Sequence, residues 1–182
     1  KDEIYDQDTL PSFPYAQLNE FYEIRRYLGK TCLGTKTIAY HSSFGCPFTC
    51  SFCAVVPIYN ARWKGKSAEN ININYIRPPS KDPIELQFDP DRYAKLSNMI
   101  LEDVKNATLK NNYGGNAIEF HDNNFFVSEK RTVEFSNLIK KENMIWWGEG
   151  RIDTINKYSD ESLAIMRDSG CRMIFFGAET GN

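Results

Sequence analysis

Four short apolar runs, each next to a glycine, alternate along the chain with stretches of helical periodicity. Runs of this length that are rich in β-branched and aromatic residues are typical of buried strands. We therefore predict four strands, TIAYHSSF (37–44), NAIEF (116–120), MIWW (144–147) and RMIFF (172–176).

Three stretches between and after these runs place apolar residues on one face of a helix. They cover residues 89–112, 128–142 and 159–169. Ser128 and Ser159 are the expected N-caps of the second and third helices, because a serine side chain accepts a hydrogen bond from the first turn. Gly170 is the expected end of the third helix. Strands that alternate with helices predict parallel βα units and an α/β fold.

The chain divides into a connector and a core. Residues 1–30 contain Pro11 and Pro14 and then a short helical pattern, so we predict a linker followed by a connector helix. Residues 31–182 hold the four βα units, with a proline-containing excursion at 72–88. We expect a partial (βα) barrel with parallel strands and outer helices, because polar residues able to bind ligands or to take part in catalysis follow every predicted strand.

These polar residues are expected to meet at one mouth of the barrel. Three cysteines follow the first run, and the segment HDNN, which begins at His121, follows the second. Glu149 and Arg151 follow the third run, and Glu179 follows the fourth. The carboxyl ends of parallel barrel strands converge at the face where active sites are built.

Composition narrows the classes of protein. The 182 residues carry a formal net charge of −2, which argues against nucleic acid as a partner. No stretch reaches the roughly 20 apolar residues of a membrane helix, and the acidic N-terminus differs from a signal peptide. Five cysteines, three of them close together, do not fit a secreted disulfide framework, so we expect a cytoplasmic protein. We also expect the sequence to be a piece of a longer one.

The cysteine cluster lies in GCPFTCSFC, residues 45–53, with Cys46, Cys50 and Cys53 as its members. Thiolates select zinc, cuprous copper or iron–sulfur clusters. A structural zinc site is closed by four protein ligands, and His41 or Cys32 is a candidate for the fourth. In an iron–sulfur cube each cysteine holds one iron, so three cysteines leave one iron free to bind another molecule.

The spacing C-x-x-x-C-x-x-C, with Phe52 before the last cysteine, resembles the signature of radical S-adenosylmethionine enzymes. The companion motifs YNARW, FHDNNFF, WWGEGRID and SGCRMIFFGAETG extend the resemblance to the cobalamin-binding branch of that superfamily. It implies that the three cysteines hold a [4Fe–4S] cluster whose free iron binds S-adenosylmethionine. It also implies a cobalamin bound by an N-terminal domain that this chain does not contain.

The resemblance further implies contacts to S-adenosylmethionine. Phe52 belongs to the cofactor-binding loop, Asp122 faces the methionyl amine, and Glu179 contacts the ribose or amine. Gly177 lets the backbone approach the ligand closely. Arg151 either binds the methionyl carboxylate or pairs with Glu149 or Asp153. For Asp122 the alternative is a capping or turn residue, and for Glu179 it is a solvated loop residue.

The function that follows from this resemblance is reductive cleavage of S-adenosylmethionine for cobalamin-dependent methyl transfer or a related radical reaction. A small-molecule substrate and an electron donor such as flavodoxin or ferredoxin are the implied partners. Two alternatives stay open at this point. One is methylthio transfer on the same core, and the other is a zinc-stabilised interaction module without catalysis.

Overall fold

The computed structural model describes residues 6–9, 15–71 and 113–178. Four of its strands form one parallel sheet in the spatial order β1-β4-β5-β6. The neighbours follow chain order without reversal, as in a sheet that winds in one direction. In chain order the strands are β1 (Thr37–Tyr40), β2 (Ser43–Gly45), β3 (Trp63–Gly65), β4 (Ala117–Phe120), β5 (Ile145–Gly150) and β6 (Cys171–Phe176).

The helices begin where the sequence places their caps. Ser128 Oγ accepts a hydrogen bond from the Arg131 amide at 3.3 Å, and Ser159 Oγ accepts one from the Ser162 amide at 3.1 Å. Both predicted N-caps are therefore confirmed. The α-helices are α1 (Tyr15–Phe21), α2 (Val55–Tyr59), α3 (Glu129–Ile139), α4 (Ile152–Ile155) and α5 (Asp160–Asp168). Short 3-10 turns cover Gln7–Thr9, Ile24–Tyr27, Phe125–Val127 and Lys140–Glu142.

Two sequence predictions on strand boundaries are wrong. The run at 37–44 is not one strand, because the chain leaves the main sheet after Tyr40 and forms β2, which pairs antiparallel with β3. The third strand does not end before Gly148 but continues to Gly150, so Glu149 lies inside the strand. The predicted helix at 89–112 and the excursion at 72–88 lie outside the described residues, as does Glu179.

An aromatic cluster fills the space between the sheet and α3. Phe120, Phe125, Phe135 and Trp146 are all fully buried. The Phe120 and Phe125 ring centroids are 4.3 Å apart, and Phe135 and Trp146 meet edge to face at 5.2 Å. The indole Nε1 of Trp146 donates to Ser169 Oγ at 3.0 Å, so its polar atom is satisfied inside the core.

The opposite face of the sheet is more open. Side chains alternate between the two faces of a strand, and register pairs Glu119 with Trp147 and Glu149 with Phe175. Glu149 is exposed, and the Phe175 side chain is 56% exposed. This is the face that a barrel would enclose, and closure into a barrel stays a prediction. Among the described residues, no helix has the length and apolar character needed to cross a membrane.

Candidate functional site

The three cysteines lie in the excursion that connects β2 to β3. The two strands pair in the register Ser43 to Gly65 and Gly45 to Trp63, so they form a hairpin with residues 46–62 at its tip. We call this segment the cysteine loop. It begins next to the carboxyl end of β1, as the sequence predicts, but the cysteines follow β2 rather than β1.

Backbone geometry brings the two ends of the cysteine loop together. Gly45 has φ +79°, and a Cβ at this position would lie 2.1 Å from the carbonyl oxygen of Arg62. At the other end, Asn60 and Ala61 both adopt left-handed conformations, with φ of 52° and 50°. Non-glycine residues seldom adopt this conformation. The loop is therefore closed by a tight approach that only glycine permits on the β2 side.

Cys46, Cys50 and Cys53 are half-buried free thiols. The Cys53 amide donates to the Cys50 carbonyl at 3.2 Å, and the Val56 amide donates to the Cys53 carbonyl at 3.3 Å, so α2 follows the last cysteine within the loop. Within residues 6–9, 15–71 and 113–178, no three histidine, cysteine, aspartate or glutamate side chains converge to hold one metal ion. A cluster held by these three thiols stays a prediction.

Arg151 connects the cysteine loop to the end of β5. Its Nη1 donates to Cys50 Sγ at 2.9 Å, and the guanidinium carbon lies 4.2 Å from the centroid of the Phe48 ring. Nε and Nη2 donate to the two carboxylate oxygens of Asp153, each at 2.9 Å. Of the two protein partners predicted for Arg151, the structure selects Asp153 rather than Glu149. This bidentate pair raises the pKa of Arg151 and lowers the pKa of Asp153.

Asp122 lies directly after β4, as predicted, but its carboxylate is fully buried. One oxygen accepts from the Ser42 amide at 2.6 Å, and the other accepts from Ser42 Oγ at 2.5 Å and Ser43 Oγ at 2.6 Å. A ligand amine would have to displace one of these donors to reach it. The capping role weighed for Asp122 is performed by Asn124, whose Oδ1 accepts from the Phe126 amide at 3.2 Å.

Arg131 is a site residue that the sequence analysis missed. It lies in the first turn of α3, and its side chain is only 7% exposed. Nε donates to the Lys66 carbonyl at 2.6 Å, and Nη2 donates to Ser42 Oγ at 2.5 Å. A signal was present, because Arg131 lies four residues before Phe135 and eight before Ile139, on the apolar stripe of the helix.

The other cysteines and candidate residues differ in exposure and surroundings. The Phe52 side chain is 69% exposed, and Gly177 follows β6 as an exposed residue. The imidazole rings of His41 and His121 are neighbours, with centroids 5.9 Å apart. Cys32 is exposed and outside the loop, whereas burial raises the pKa of Cys171 to about 12. The structure thus brings together Cys50, Phe48 and Arg151, and separately Asp122, Ser42 and Arg131.

Comparison with known proteins gives one distant similarity. Over 143 residues, 78% of this chain, the sequence is 27% identical to an uncharacterized methyltransferase of Pyrococcus horikoshii. The chain spans 24% of the length of that protein. No protein-family model matches the chain.

Proposed function

We propose that this chain is the core of a radical S-adenosylmethionine enzyme that carries out methyl transfer. The observation that carries the proposal is the set of three free thiols, spaced four and three residues apart, in one loop at the carboxyl edge of a parallel sheet. The similarity to a protein named a methyltransferase supports methyl transfer as the type of reaction.

We infer that the donor set suits an iron–sulfur cube rather than a closed zinc site. A structural zinc ion takes four protein ligands, and the cysteine loop supplies three thiols. In a cube, each thiolate binds a different iron, so the three sulfur atoms stand apart from one another. Cys46, Cys50 and Cys53 would hold three irons and leave the fourth open to S-adenosylmethionine.

Cys46, Cys50 and Cys53 would hold the cluster, which would supply one electron, received from a donor such as flavodoxin or ferredoxin, for reductive cleavage of S-adenosylmethionine. The residues of this chain position the ligands and tune their charge. Arg151 places a cationic donor 2.9 Å from Cys50 Sγ, and hydrogen bonds to sulfur are one of the terms that set cluster potential. The Phe48 ring contacts the same guanidinium, whose carbon lies 4.2 Å from the ring centroid.

The open face of the sheet is the proposed substrate side. It carries Glu119, Trp147, Glu149 and Phe175, a mixture of carboxylates and aromatic rings. We propose that a small-molecule substrate binds there, close to Gly177 and to the loop residue Phe52. Cobalamin, bound by a domain outside this chain, is the proposed carrier of the methyl group.

Anaerobic reconstitution with iron and sulfide tests the proposal. We expect the protein to bind about four irons and four sulfides, with broad absorbance at about 400 nm from thiolate-ligated iron. Reduction in the presence of S-adenosylmethionine should then yield 5′-deoxyadenosine and methionine. Replacing Cys53 by Ala should abolish both results, and Cys32→Ala is the matched control because Cys32 is an exposed thiol outside the loop.

Two outcomes would contradict the proposal. One is that the wild-type protein binds one zinc ion per chain and stays colourless, without taking up iron and sulfide. The other is that Cys53→Ala still cleaves S-adenosylmethionine. Methylthio transfer is distinguished by its product, because the methylated substrate would then also gain a sulfur atom.

A further inference from the structure

A buried guanidinium touches both ends of the hairpin that carries the cysteine loop. Arg131 Nη2 donates to the Ser42 carbonyl at 3.2 Å, just before β2, and Nε donates to the Lys66 carbonyl at 2.6 Å, just after β3. The Lys66 amide itself donates to the Ser42 carbonyl at 2.8 Å. Arg131 therefore binds the base of the hairpin, where the loop leaves and re-enters the body of the protein.

A hydroxyl links this cation to a buried anion. Ser42 Oγ donates to Asp122 Oδ2 and accepts from Arg131 Nη2, both at 2.5 Å. Ser42 lies 80 residues before Asp122 and 89 before Arg131, so the link joins three separate segments of the chain. A buried charge without compensation is very costly, and here each charge compensates the other through Ser42.

Two aromatic rings complete the surroundings of the guanidinium. Its central carbon lies 5.4 Å from the centroid of the Trp63 ring, on β3, and 5.0 Å from that of Phe125. Nη1 also donates to the Phe125 carbonyl at 3.2 Å. Burial lowers the pKa of Arg131, and the Asp122 carboxylate opposes this shift. The guanidinium stays charged in proteins, so the network is ionic.

We propose that Arg131, Ser42 and Asp122 are positioning residues that fix the base of the cysteine loop and so present its thiols to the cluster. The proposal rests on the proposed function for the identity of the cluster. The role of the three residues in holding the loop does not depend on it. It assigns Asp122 to holding Ser42 and Ser43 rather than to contact with S-adenosylmethionine.

The first test is made on the protein without iron. Hydrogen exchange at residues 42–54 and 62–66 and alkylation rates of Cys46, Cys50 and Cys53 are measured in Ser42→Ala and Arg131→Met. We expect both rates to rise about tenfold, which corresponds to about 1.4 kcal/mol of local opening. Exposed Cys32 is the internal reference for alkylation. Lys130→Met is the matched control, because Lys130 is an exposed neighbour that pairs with Glu134 on the helix surface, at 3.8 Å.

The second test separates positioning from general stability. In reconstituted Ser42→Ala, we expect the electron paramagnetic resonance spectrum of the reduced cluster to differ from wild type, while exchange in α5 and β6 is unchanged. Two results would overturn the proposal. One is that hydrogen exchange and alkylation at the loop match wild type in both variants. The other is that hydrogen exchange becomes faster by the same factor at all amides. If the wild-type protein takes up no iron, the proposed function fails, and the exchange data still decide whether the network holds the loop.

Discussion

At the scale of single residues, Arg151 contacts the cysteine loop from a position directly after β5. Its side chain is 36% exposed, so solvent weakens its electrostatic effect. Replacing Arg151 by Met removes the donor to Cys50 and with it a stabilising interaction with the more negative, reduced state of the cluster. We expect the reduction potential to fall by about 50 mV.

A redox titration followed by electron paramagnetic resonance measures this change. Arg167→Met is the control, because Arg167 pairs with Asp168 at the end of α5 rather than with the cysteine loop. An unchanged potential in Arg151→Met would show that the hydrogen bond to Cys50 has no influence on the cluster.

The buried thiol of Cys171 makes the free energy of unfolding depend on pH in the alkaline range. Burial raises the pKa of its thiol from 9.0 to about 12. Between these values the unfolded chain loses the proton and the folded chain keeps it, so the contribution is complete below pH 9 and is lost as pH rises. In the wild-type protein this thiol should lower the free energy of unfolding by up to about 1.4 kcal/mol per pH unit above pH 9. We expect Cys171→Ala to remove that part of the pH dependence. Urea unfolding at several pH values tests this, with Cys32→Ala as the control.

Residue types and spacing predict some of the site and not the rest. The capping serines and the cysteine loop are recognisable locally, because their partners lie within a few residues in the chain. The environment of Asp122 is not, because its partner Ser42 is 80 residues away. The same holds for Arg131, whose hydrogen bonds to Lys66 and Ser42 span 65 and 89 residues.

At the scale of elements, the hairpin of β2 and β3 depends on Gly45. Its φ of +79° and the 2.1 Å that would separate an added Cβ from the Arg62 carbonyl leave no room for a side chain. We expect Gly45→Ala to open the hairpin and to destabilise the fold by about 2 kcal/mol or more. Thermal unfolding and hydrogen exchange at β3 measure the two effects.

Gly29→Ala is a suitable control for this prediction. A Cβ at Gly29 would meet no atom within 4 Å, and no positive φ is present there. We expect its unfolding temperature to stay near that of wild type. Equal stability of the Gly45 and Gly29 variants would contradict the assignment of Gly45 as the closing residue of the loop.

The elements that the sequence predicts well are those with local signals at their ends. Both capped helices and the strands β4 and β6 agree with their predicted ranges to within a few residues. The division of the first run into β1 and β2 has no such signal. At this division the chain leaves the main sheet, and Ser42 and Ser43 there donate hydrogen bonds to the distant Asp122.

At the scale of the whole molecule, the aromatic cluster holds the sheet and α3 together. Trp146 contacts the Phe120, Phe125, Phe126 and Phe135 rings at centroid distances between 5.2 and 6.3 Å. We expect Trp146→Ala to destabilise the protein by about 3–5 kcal/mol, because it leaves a cavity and removes the hydrogen bond from the indole to Ser169 Oγ. Denaturant unfolding measures this loss. Tyr27→Ala, at a side chain that is 70% exposed, should change stability by about 0.5 kcal/mol or less.

The α/β class and the parallel order of the strands follow from the alternation of apolar runs and helical stretches. The direction of winding and the position of the cysteine hairpin outside the main sheet do not. They depend on which segments meet in space, and a pattern of apolar positions along one chain contains no information on contacts between distant segments.

The closed base of the cysteine hairpin has a consequence for how this region can change. The Lys66 amide donates to the Ser42 carbonyl at 2.8 Å, so the two ends of the hairpin are held side by side. The seventeen residues from Cys46 to Arg62 therefore begin and end at the same place on the protein. We therefore expect insertions in this loop, away from the cysteines and from Phe48, to leave the register of the strands beneath it unchanged.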